Sequence, residues 1–496
     1  MTGGIRRGRL ANFKSILPML LRQIFDPYLA QYAYLIGCQR SGEALLIDPE
    51  RDIEQYRELA RSNGLRITAV AETHIHADFV SGAQEFAQDP GVQLYLSDEG
   101  GKDWEYLWPQ GHANLHLLKD GDVFHVGNIR VQAVHTPGHT PEHLSFLITD
   151  IGGGADEPVA LATGDFLFVG DVGRPDLLES AAGIGGVMEP SARELQTSLA
   201  ARLKPYGDYL QILPAHGAGS ACGKSLGAIP TTTLGYERRF NKALRLALSD
   251  SEAFVKDILS GQPEPPPYFA TMKRVNRDGI RVTGGLVRPS RLTELAEVNV
   301  LLDSGVRVLD ARDNRIAFSQ SHLRNAIHAP LNTPFFSTAA GSYVDPDERI
   351  LLVVASAADV DLAVRQLYRI GLDHVVGWIS VDETKRLGLS HVPLNRVDFA
   401  HFDSAAAKAD GEIIDVRTSA EFNHKHIEGA HSFPYTRLRD QVARVPKGRK
   451  LFVHCGSGKR ASLASSYLQS MGFEVVYVDG MCSECERIAQ DEGVAH

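Results

Sequence analysis

The sequence contains little cysteine and no long apolar run. Its 5 cysteines among 496 residues are too few and too scattered for a disulfide framework, which indicates a reducing compartment. No apolar run approaches the ~20 residues of a membrane-spanning helix. Basic residues are not in excess, because the formal net charge is −10 at pH 7, whereas a nucleic acid or an anionic membrane surface selects a basic face. We therefore expect a cytoplasmic protein whose partners are small molecules, with no nucleic acid and no membrane among them.

The length predicts several domains, since a domain usually holds ~100–200 residues, and we favour three. Residues 1–18 are basic and lack acidic residues, and we interpret them as a flexible extension. A mitochondrial presequence has the same bias, and Met19 is an alternative start. A proline cluster within residues 260–279 forbids helix and strand pairing and marks the end of the first domain. We predict this domain over residues 19–262 and a linker over 263–283.

An internal repeat follows the linker. The segment VRVLDARDNRIAFSQSHLRNAIHAPL, beginning at Val306, aligns with GEIIDVRTSAEFNHKHIEGAHSFPYT, beginning at Gly411. Both copies alternate short apolar strands with helical periodicity, which is typical of an α/β domain with a parallel sheet. We predict a first repeat domain over 284–390 and a second over 396–496. The domain before them has short strands with helices between, which indicates two packed sheets flanked by helices, so the fold class is mixed α/β and α+β.

Four segments of the first domain place metal-ligand side chains in turns after predicted strands. They are ETHIHADFVSG with His74, His76 and Asp78, HTPGHTPEH with His139, LATGDFLFVGDVGRPDL with Asp165, and LPAHGAGSACGK with His216. Strand ends hold side chains rigidly, as metal coordination requires. In many metallohydrolases the pattern His-x-His-x-Asp continues into another histidine, but here Phe79 follows. A phenyl ring cannot coordinate a metal, so we infer a mononuclear site.

This series of motifs resembles the metallo-β-lactamase family over about residues 19–260, with Asp48 at its structural acidic motif. The resemblance implies an αββα sandwich with the site at one edge. The stretches YAYLIG, HADFVSGA and GDVGRPDL resemble the persulfide dioxygenase branch. That branch implies one Fe(II) per chain, bound by His74, His139 and Asp165, with open positions for a thiolate substrate and O₂.

The same resemblance implies supporting roles around the metal. Three residues would orient ligands and water without binding metal: His76, Asp78 and His216. Phe79 and Arg174 would line the substrate pocket. Cys222, in the Gly-rich stretch HGAGSACG, is either a catalytic, substrate-handling thiol or a buried small residue, and we favour the thiol.

The segment VHCGSGKRAS predicts a nucleophile loop. Cys455 follows an apolar strand, and a helix begins after the loop residues, which are Gly456, Ser457, Gly458, Lys459 and Arg460. Backbone N–H groups, the helix N-terminus and the two cations would stabilise a thiolate and an anionic persulfide. Cysteine-dependent phosphatases use Cys-x5-Arg, whereas four residues separate Cys455 from Arg460. The shorter loop resembles the rhodanese type, which favours sulfane sulfur over phosphate.

In the first repeat domain, Ala355 takes the position of Cys455, and the glycines and cations are missing. This domain resembles a degenerate rhodanese that is retained for packing or domain placement. The whole arrangement resembles multidomain persulfide dioxygenase-sulfurtransferases. That resemblance implies oxidation of a low-molecular-weight thiol persulfide by O₂, sulfane-sulfur transfer through Cys455, sulfite and thiosulfate as products, and a role in sulfide detoxification. We also expect a homo-oligomer.

Two other functions stay open. A zinc-dependent thioester hydrolase of the glyoxalase II type, or a lactonase, with an appended sulfurtransferase is disfavoured by Phe79. A redox-sensing or sulfur-binding scaffold is disfavoured by the intact set of ligand-type residues. Among the other cysteines, Cys38 is expected in the core, and the single CxxC of Cys482 and Cys485 is interpreted as an inert surface pair rather than a zinc site.

Overall fold

The computed structural model describes residues 18–180, 185–224, 226–262, 264–333 and 335–481. The predicted extension, apart from residue 18, and the pair Cys482 and Cys485 lie outside the described residues. Within the described ranges, no helix is both long enough and apolar enough to cross a membrane.

Two six-stranded sheets form the centre of the first domain. The first contains β1 (Met19–Asp26), β2 (Gln31–Cys38), β3 (Glu43–Ile47), β4 (Arg66–Ala71), β5 (Gln93–Ser97) and β6 (Leu115–Leu118). The second contains β7 (Val123–Val126), β8 (Ile129–His135), β9 (Leu144–Asp150), β10 (Ala160–Gly164), β11 (Gln211–Pro214) and β12 (Thr232–Thr233). In each sheet, neighbours in the chain are also neighbours in space. The inner faces meet in a buried apolar cluster that includes Ile47, Phe124 and Phe146.

Helices cover both outer faces of these sheets. They are α1 (Glu54–Ser62), α2 (Ala83–Phe86), α3 (Leu177–Ser180), α4 (Met188–Arg202), α5 (Leu234–Phe240), α6 (Lys242–Ser249) and α7 (Ser251–Leu259). Tyr56 of α1 and Phe86 of α2 pack with the first sheet, whereas Leu195 of α4 and Phe254 of α7 pack with the second. The αββα sandwich implied by the resemblance is therefore confirmed.

The candidate ligands follow strands that end at one edge of the sandwich. β8 and β10 run in the same direction because each pairs antiparallel with β9, and β11 is parallel to β10. Their C-terminal ends therefore lie together. From the other sheet, β4 ends at Ala71 and leads into the segment with His74. The fold thus brings all four motifs to one place.

The predicted linker contains a helix, α8 (Tyr268–Asp278). This differs from the expectation that the proline cluster leads into an irregular connector. The prolines stop just before the helix, with Pro267 at its N-cap, where a missing N–H costs nothing because the first turn has no intrahelical acceptor for it. One face of α8, with Phe269, Met272 and Asn276, is buried.

The two repeat domains contain the remaining elements. The first has β13 (Arg307–Asp310), β14 (His322–Leu323), β15 (Ile327–His328), β16 (Ile350–Val354), β17 (Val375–Ser380) and β18 (His391–Val392), with α9 (Leu295–Asp303), α10 (Arg315–Gln320), α11 (Phe335–Tyr343), α12 (Val360–Arg369) and α13 (Val381–Arg386). The second has β19 (Asn395–Asp398), β20 (Glu412–Asp415), β21 (His431–Ser432), β22 (Leu451–His454) and β23 (Val475–Asp479), with α14 (Phe399–Ala409), α15 (Ser419–His424), α16 (Leu438–Gln441) and α17 (Lys459–Ser470).

Both repeat domains have the predicted parallel sheet and share its strand order. The order is β15-β13-β16-β17 in the first and β21-β20-β22-β23-β19 in the second, so the first four strands correspond one to one. A buried pair recurs after the opening strand. The guanidinium of Arg312 lies 2.6 Å from the carboxylate of Asp310, and that of Arg417 lies 2.6 Å from Asp415. The repeat seen in the sequence is thus a repeat of structure.

The first repeat domain packs on the first domain through two buried arginines, one from each domain, that pair with carboxylates of the other domain. Arg369, at the end of α12, forms ion pairs with the carboxylates of Asp26, Glu50 and Asp52, and the last two lie 2.9 and 2.7 Å away. In the other direction, Arg51 reaches Asp373 at 2.7 Å. Removing one partner of a buried ion pair typically costs ~3–5 kcal/mol. Separation of the two domains would therefore break buried ion pairs, so these pairs stabilise the contact between the domains.

The two repeat domains also meet at a buried histidine. The His328 Nε2–H donates to the carbonyl of Arg312 at 2.8 Å, and its Nδ1 accepts from the Ser462 hydroxyl of α17 at 2.5 Å. The backbone N–H of His328 donates to the Ser466 hydroxyl at 2.9 Å. Burial lowers the pKa of His328 to about 4, despite the nearby carboxylate of Asp310. The imidazole is therefore neutral at pH 7.

This histidine should make the interface acid-sensitive. Its pKa is about 4 when folded and ~6.5 when unfolded, so the unfolded chain binds the proton first as the pH falls. The stabilisation is complete above pH 6.5 and is lost between there and pH 4, which amounts to ~2 kcal/mol at pH 5. We expect urea titrations at pH 7 and pH 5 to show this loss in the wild type, with a smaller loss in His328→Asn. Equal losses in both proteins would contradict the assignment.

Candidate metal centre and sulfur-transfer loop

Three buried side chains converge where β4, β8 and β10 end. One donor atom from each of His74, His139 and Asp165 lies within 4.8 Å of the others, and the three residues are 2%, 3% and 0% exposed. These are the residues that the resemblance implied as metal ligands. The structure brings all three together.

Hydrogen bonds orient the two imidazoles toward this centre. The Nδ1 of His74 lies 3.0 Å from the hydroxyl of Thr73, which donates to the carboxylate of Asp48 at 2.8 Å. The Nδ1 of His139 lies 3.0 Å from the carbonyl of Arg174. Because Nδ1 of each ring is hydrogen-bonded, Nε2 is the nitrogen that is available to coordinate a metal. Metal-binding histidines are usually held in this way. Asp48 therefore supports the site through Thr73.

The protonation of these groups suits a cation. Burial lowers the pKa of His74 well below its ordinary value and lowers that of His139 to about 4, so both rings are neutral. Burial raises the pKa of Asp165 to about 6. Among the described residues, neither carboxylate oxygen of Asp165 has a hydrogen-bond partner. A buried carboxylate that accepts no hydrogen bond and has only neutral imidazoles near it is costly unless a cation balances it, so the three side chains fit a divalent metal.

A second group lies on the other side of Asp165. The Oδ2 of Asp165 is 3.4 Å from His139 Nε2, and the Oδ1 of Asp165 is 3.4 Å from His216 Nε2. Donor atoms of His216, Asp78 and Cys222 also lie within 4.8 Å of one another. Burial raises the pKa of the Cys222 thiol well above its ordinary value, which keeps the thiol protonated. Two of the three residues predicted to support the metal, Asp78 and His216, therefore lie beside the candidate metal centre in one group with Cys222.

His76 belongs to a separate group. Its Nε2 lies 3.0 Å from the Glu72 carboxylate and 3.2 Å from that of Asp48. Burial opposes protonation of His76, but these carboxylates outweigh it and raise its pKa well above the ordinary value. The Phe79 ring is fully buried, with its centroid 4.4 Å from that of His76. Phe79 therefore packs against the histidine that the carboxylates hold.

Arg174, expected in the substrate pocket, is bonded within the protein. Its guanidinium donates to both carboxylate oxygens of Asp176, at 3.0 and 2.7 Å, and to the carbonyl of Ala221 at 2.8 Å. Because Ala221 precedes Cys222 and the Arg174 carbonyl contacts His139, this arginine connects the Cys222 loop with a candidate ligand. Its observed contacts are structural.

The second candidate site lies where β22 ends. Cys455 is 1% exposed, and its Sγ accepts from the backbone N–H of Ala461, in the first turn of α17, at 3.3 Å. Gly458 has φ +80°, and a Cβ there would come within 2.7 Å of the Asp479 carboxylate, so the loop requires glycine. The N-terminus of a 12-residue helix thus points at the sulfur, an arrangement that stabilises a thiolate.

The two cations of this loop are not equivalent. Lys459 is exposed, but Arg460 forms two hydrogen bonds with the Glu421 carboxylate, at 2.6 and 2.8 Å. Burial opposes ionisation of Glu421, yet Arg460 outweighs it and lowers the Glu421 pKa to about 2. The anion-attracting role of both cations stays a prediction, and the pairing of Arg460 with Glu421 makes Lys459 the main contributor expected.

The matching loop of the first repeat domain has different chemistry. Ser356 and Asp359 form a capping box at the start of a short 3₁₀ helix, and Ala355 is exposed. A carboxylate and a methyl group replace the cations and the thiol. This loop offers neither a nucleophile nor an anion site.

Comparisons with known proteins agree with this architecture. A model of the metallo-β-lactamase superfamily matches residues 27–216, and a rhodanese-like domain model matches residues 401–485. A solved metallo-β-lactamase structure from Staphylococcus aureus is 37% identical, covers 73% of this chain and 98% of its own, and superposes with a TM-score of 0.63.

Two curated relatives are similar over the first domain. A mitochondrial persulfide dioxygenase from Homo sapiens is 34% identical over 171 residues, which are 33% of this chain and 59% of that protein. A probable hydroxyacylglutathione hydrolase from Schizosaccharomyces pombe is 28% identical over 189 residues, which are 37% of this chain and 63% of that protein. The chain thus spans less than two thirds of either relative. It belongs to the metallo-β-lactamase superfamily and joins a domain homologous to persulfide dioxygenases to a rhodanese-like domain.

Proposed function

We propose that this enzyme oxidises a low-molecular-weight thiol persulfide with O₂ at a single non-haem Fe(II), and that it transfers sulfane sulfur through Cys455. The observation that carries the proposal is the buried group of His74, His139 and Asp165, with Phe79 where a further histidine would stand. Two imidazoles and one carboxylate on one face are the ligand set of non-haem Fe(II) oxygenases. Oxidation belongs to residues 19–262 and transfer to residues 396–496.

The oxidation balances as RSSH + O₂ + H₂O → RSH + SO₃²⁻ + 2 H⁺. Fe(II), when bound, supplies the redox chemistry and a position for the substrate sulfur. The protein residues hold the ligand rings, as Thr73 and the Arg174 carbonyl do. They also exclude water, because every side chain of the candidate centre is buried.

The transfer step uses the loop at Cys455. A sulfane sulfur on this cysteine reacts as Cys455–SSH + SO₃²⁻ → Cys455–SH + S₂O₃²⁻. The N-terminus of α17 stabilises the thiolate that leaves, and the exposed Lys459 attracts the dianion. Cys222 is proposed to accept sulfane sulfur near the metal by exchange, RSSH + Cys222–SH → RSH + Cys222–SSH.

The zinc hydrolase alternative has one observation in its favour. Asp78, His216 and Cys222 form a compact group, and its His216 lies 3.4 Å from Asp165 of the first group, so this group is able to hold a second metal. The fission-yeast relative is named a hydroxyacylglutathione hydrolase. Against this, Phe79 stands where the metallohydrolase pattern has a further histidine, so this group lacks that ligand.

Metal analysis of anaerobically purified protein, combined with O₂ uptake on defined persulfides, tests the proposal. We expect one iron per chain and O₂ consumption with at least one persulfide of glutathione, coenzyme A or bacillithiol. Thioester hydrolysis is the control reaction and should be absent. Two tightly bound zinc ions with thioesterase activity would replace the proposal with the hydrolase.

A further inference from the structure

The loop from His74 to Ser81 depends on hydrogen bonds from outside the first domain. Between the end of β4 and the start of α2 it has little regular secondary structure, so its buried backbone groups need other partners. The side chain of Asn276, on α8, supplies three. Its Nδ2 donates to the carbonyls of His76 and Phe79 at 2.8 and 2.7 Å, and its Oδ1 accepts from the N–H of Ser81 at 2.9 Å.

A fourth bond comes from the first repeat domain. The N–H of Val80 donates to the carbonyl of Arg369, the last residue of α12, at 2.7 Å. Val80 also lies in one buried cluster with Met272 of α8. The metal loop is therefore held by the linker helix and by the repeat domain that lacks a nucleophile.

The backbone groups around position 276 require both a hydrogen-bond donor and an acceptor, which an amide side chain provides. Two carbonyls need donors and one N–H needs an acceptor, and an asparagine side chain provides both from one planar group. Asn276 is 2% exposed, so water cannot readily replace it. We propose that Asn276 is a positioning residue for the metal centre, which holds the loop so that His74 and Asp78 keep their places. The inference rests on the proposed metal-binding role of His74 and not on the reaction.

Asn276→Asp tests this inference in the full-length chain. The substitution keeps the acceptor for Ser81 but replaces two donors with a carboxylate that faces two carbonyl oxygens. We expect Co(II), titrated into apo-protein and followed by its visible absorption, to bind ~10-fold more weakly, the lower end of the range for direct partners of ligands, because Asn276 acts on the loop and not on a ligand itself. The spectrum of the bound ion should also change, since the positions of the ligands change.

Gln84→Glu is the matched control. Gln84 joins the first domain to the same region, because its Nε2 donates to the carbonyl of Val275 at 3.0 Å and its Oε1 accepts from the N–H of Ile280 at 2.9 Å. It makes none of the metal-loop bonds described for Asn276. This control should lose comparable thermal stability yet bind Co(II) with wild-type affinity and spectrum.

Two outcomes would overturn the inference. One is wild-type Co(II) affinity and spectrum in Asn276→Asp, and the other is an equal loss of affinity in Gln84→Glu. If Asn276→Asp does not fold, Asn276→Ala replaces it and should weaken Co(II) binding in the same sense, with no change contradicting the inference. Because neither persulfide nor O₂ is present, a protein that binds Co(II) as expected but consumes no O₂ would refute the proposed function alone.

Discussion

Asp165→Ala is expected to abolish metal binding and O₂ uptake while leaving sulfur transfer from thiosulfate to an acceptor unchanged. Asp165 is the one carboxylate among the three proposed ligands, and both of its oxygens lack hydrogen-bond partners among the described residues. Changing only a partner of a ligand lowers metal affinity ~10- to 100-fold, so loss of the ligand itself should exceed ~100-fold. Iron content and O₂ electrode rates measure the first effect, and the transferase assay confirms that the second repeat domain is intact.

His216→Ala is the matched control for this variant. His216 is equally buried and lies 3.4 Å from Asp165, but it is outside the group of three. It should retain iron. Equal loss of iron from both variants would make His216 a ligand and would favour a dinuclear site.

Cys455→Ser is expected to remove sulfur transfer and to change the product of persulfide oxidation. A hydroxyl cannot carry sulfane sulfur, so transfer from thiosulfate should fall by more than ~1,000-fold, as when a catalytic nucleophile is removed. The metal centre lies in another domain, so O₂ uptake should persist. Wild-type enzyme given a thiol persulfide and O₂ should form mainly thiosulfate, whereas the variant should release sulfite.

Two further cysteine variants make this test specific. Cys38→Ser changes a buried free cysteine of the first domain and should leave the ratio of sulfite to thiosulfate unaltered. Cys222→Ser should raise the sulfite fraction and spare the transferase assay if Cys222 carries sulfur. An unchanged product ratio in Cys455→Ser would remove the coupling of the two sites.

The sequence predicts the architecture well because strand ends and turns are local features. Alternating apolar strands indicated two sheets in the first domain, and the aligned repeats indicated two further parallel sheets. Motifs after β4, β8 and β10 anticipated that His74, His139 and Asp165 lie together. Short patterns and known sheet geometry were sufficient for the sheets and for the meeting of the motifs, whereas the choice of these three ligands came from the family resemblance.

The contacts between domains could not be predicted in this way. Asn276 lies in a stretch interpreted as a linker, and no local pattern connects it with His76, 200 residues away in the chain. The pairing of Arg460 with Glu421 could not be predicted from the sequence either. The sequence does show that Thr418 and Glu421 fit a capping box, but a capping box does not indicate that the same glutamate also neutralises an arginine of another helix.

The ion pairs of Arg369 between the first domain and the first repeat domain affect the stability of a truncated chain. A fragment that ended at residue 262 would retain Asp26, Glu50 and Asp52 in a cluster from which Arg369 is missing. Repulsion among these carboxylates, which Arg369 no longer offsets, would destabilise this part of the fragment. Deleting the first repeat domain would therefore cost the first domain stability, even though Ala355 stands where the second repeat has Cys455. The first repeat domain thus supplies a counter-charge to its neighbour, and we expect a shorter relative to need its own cation at that place.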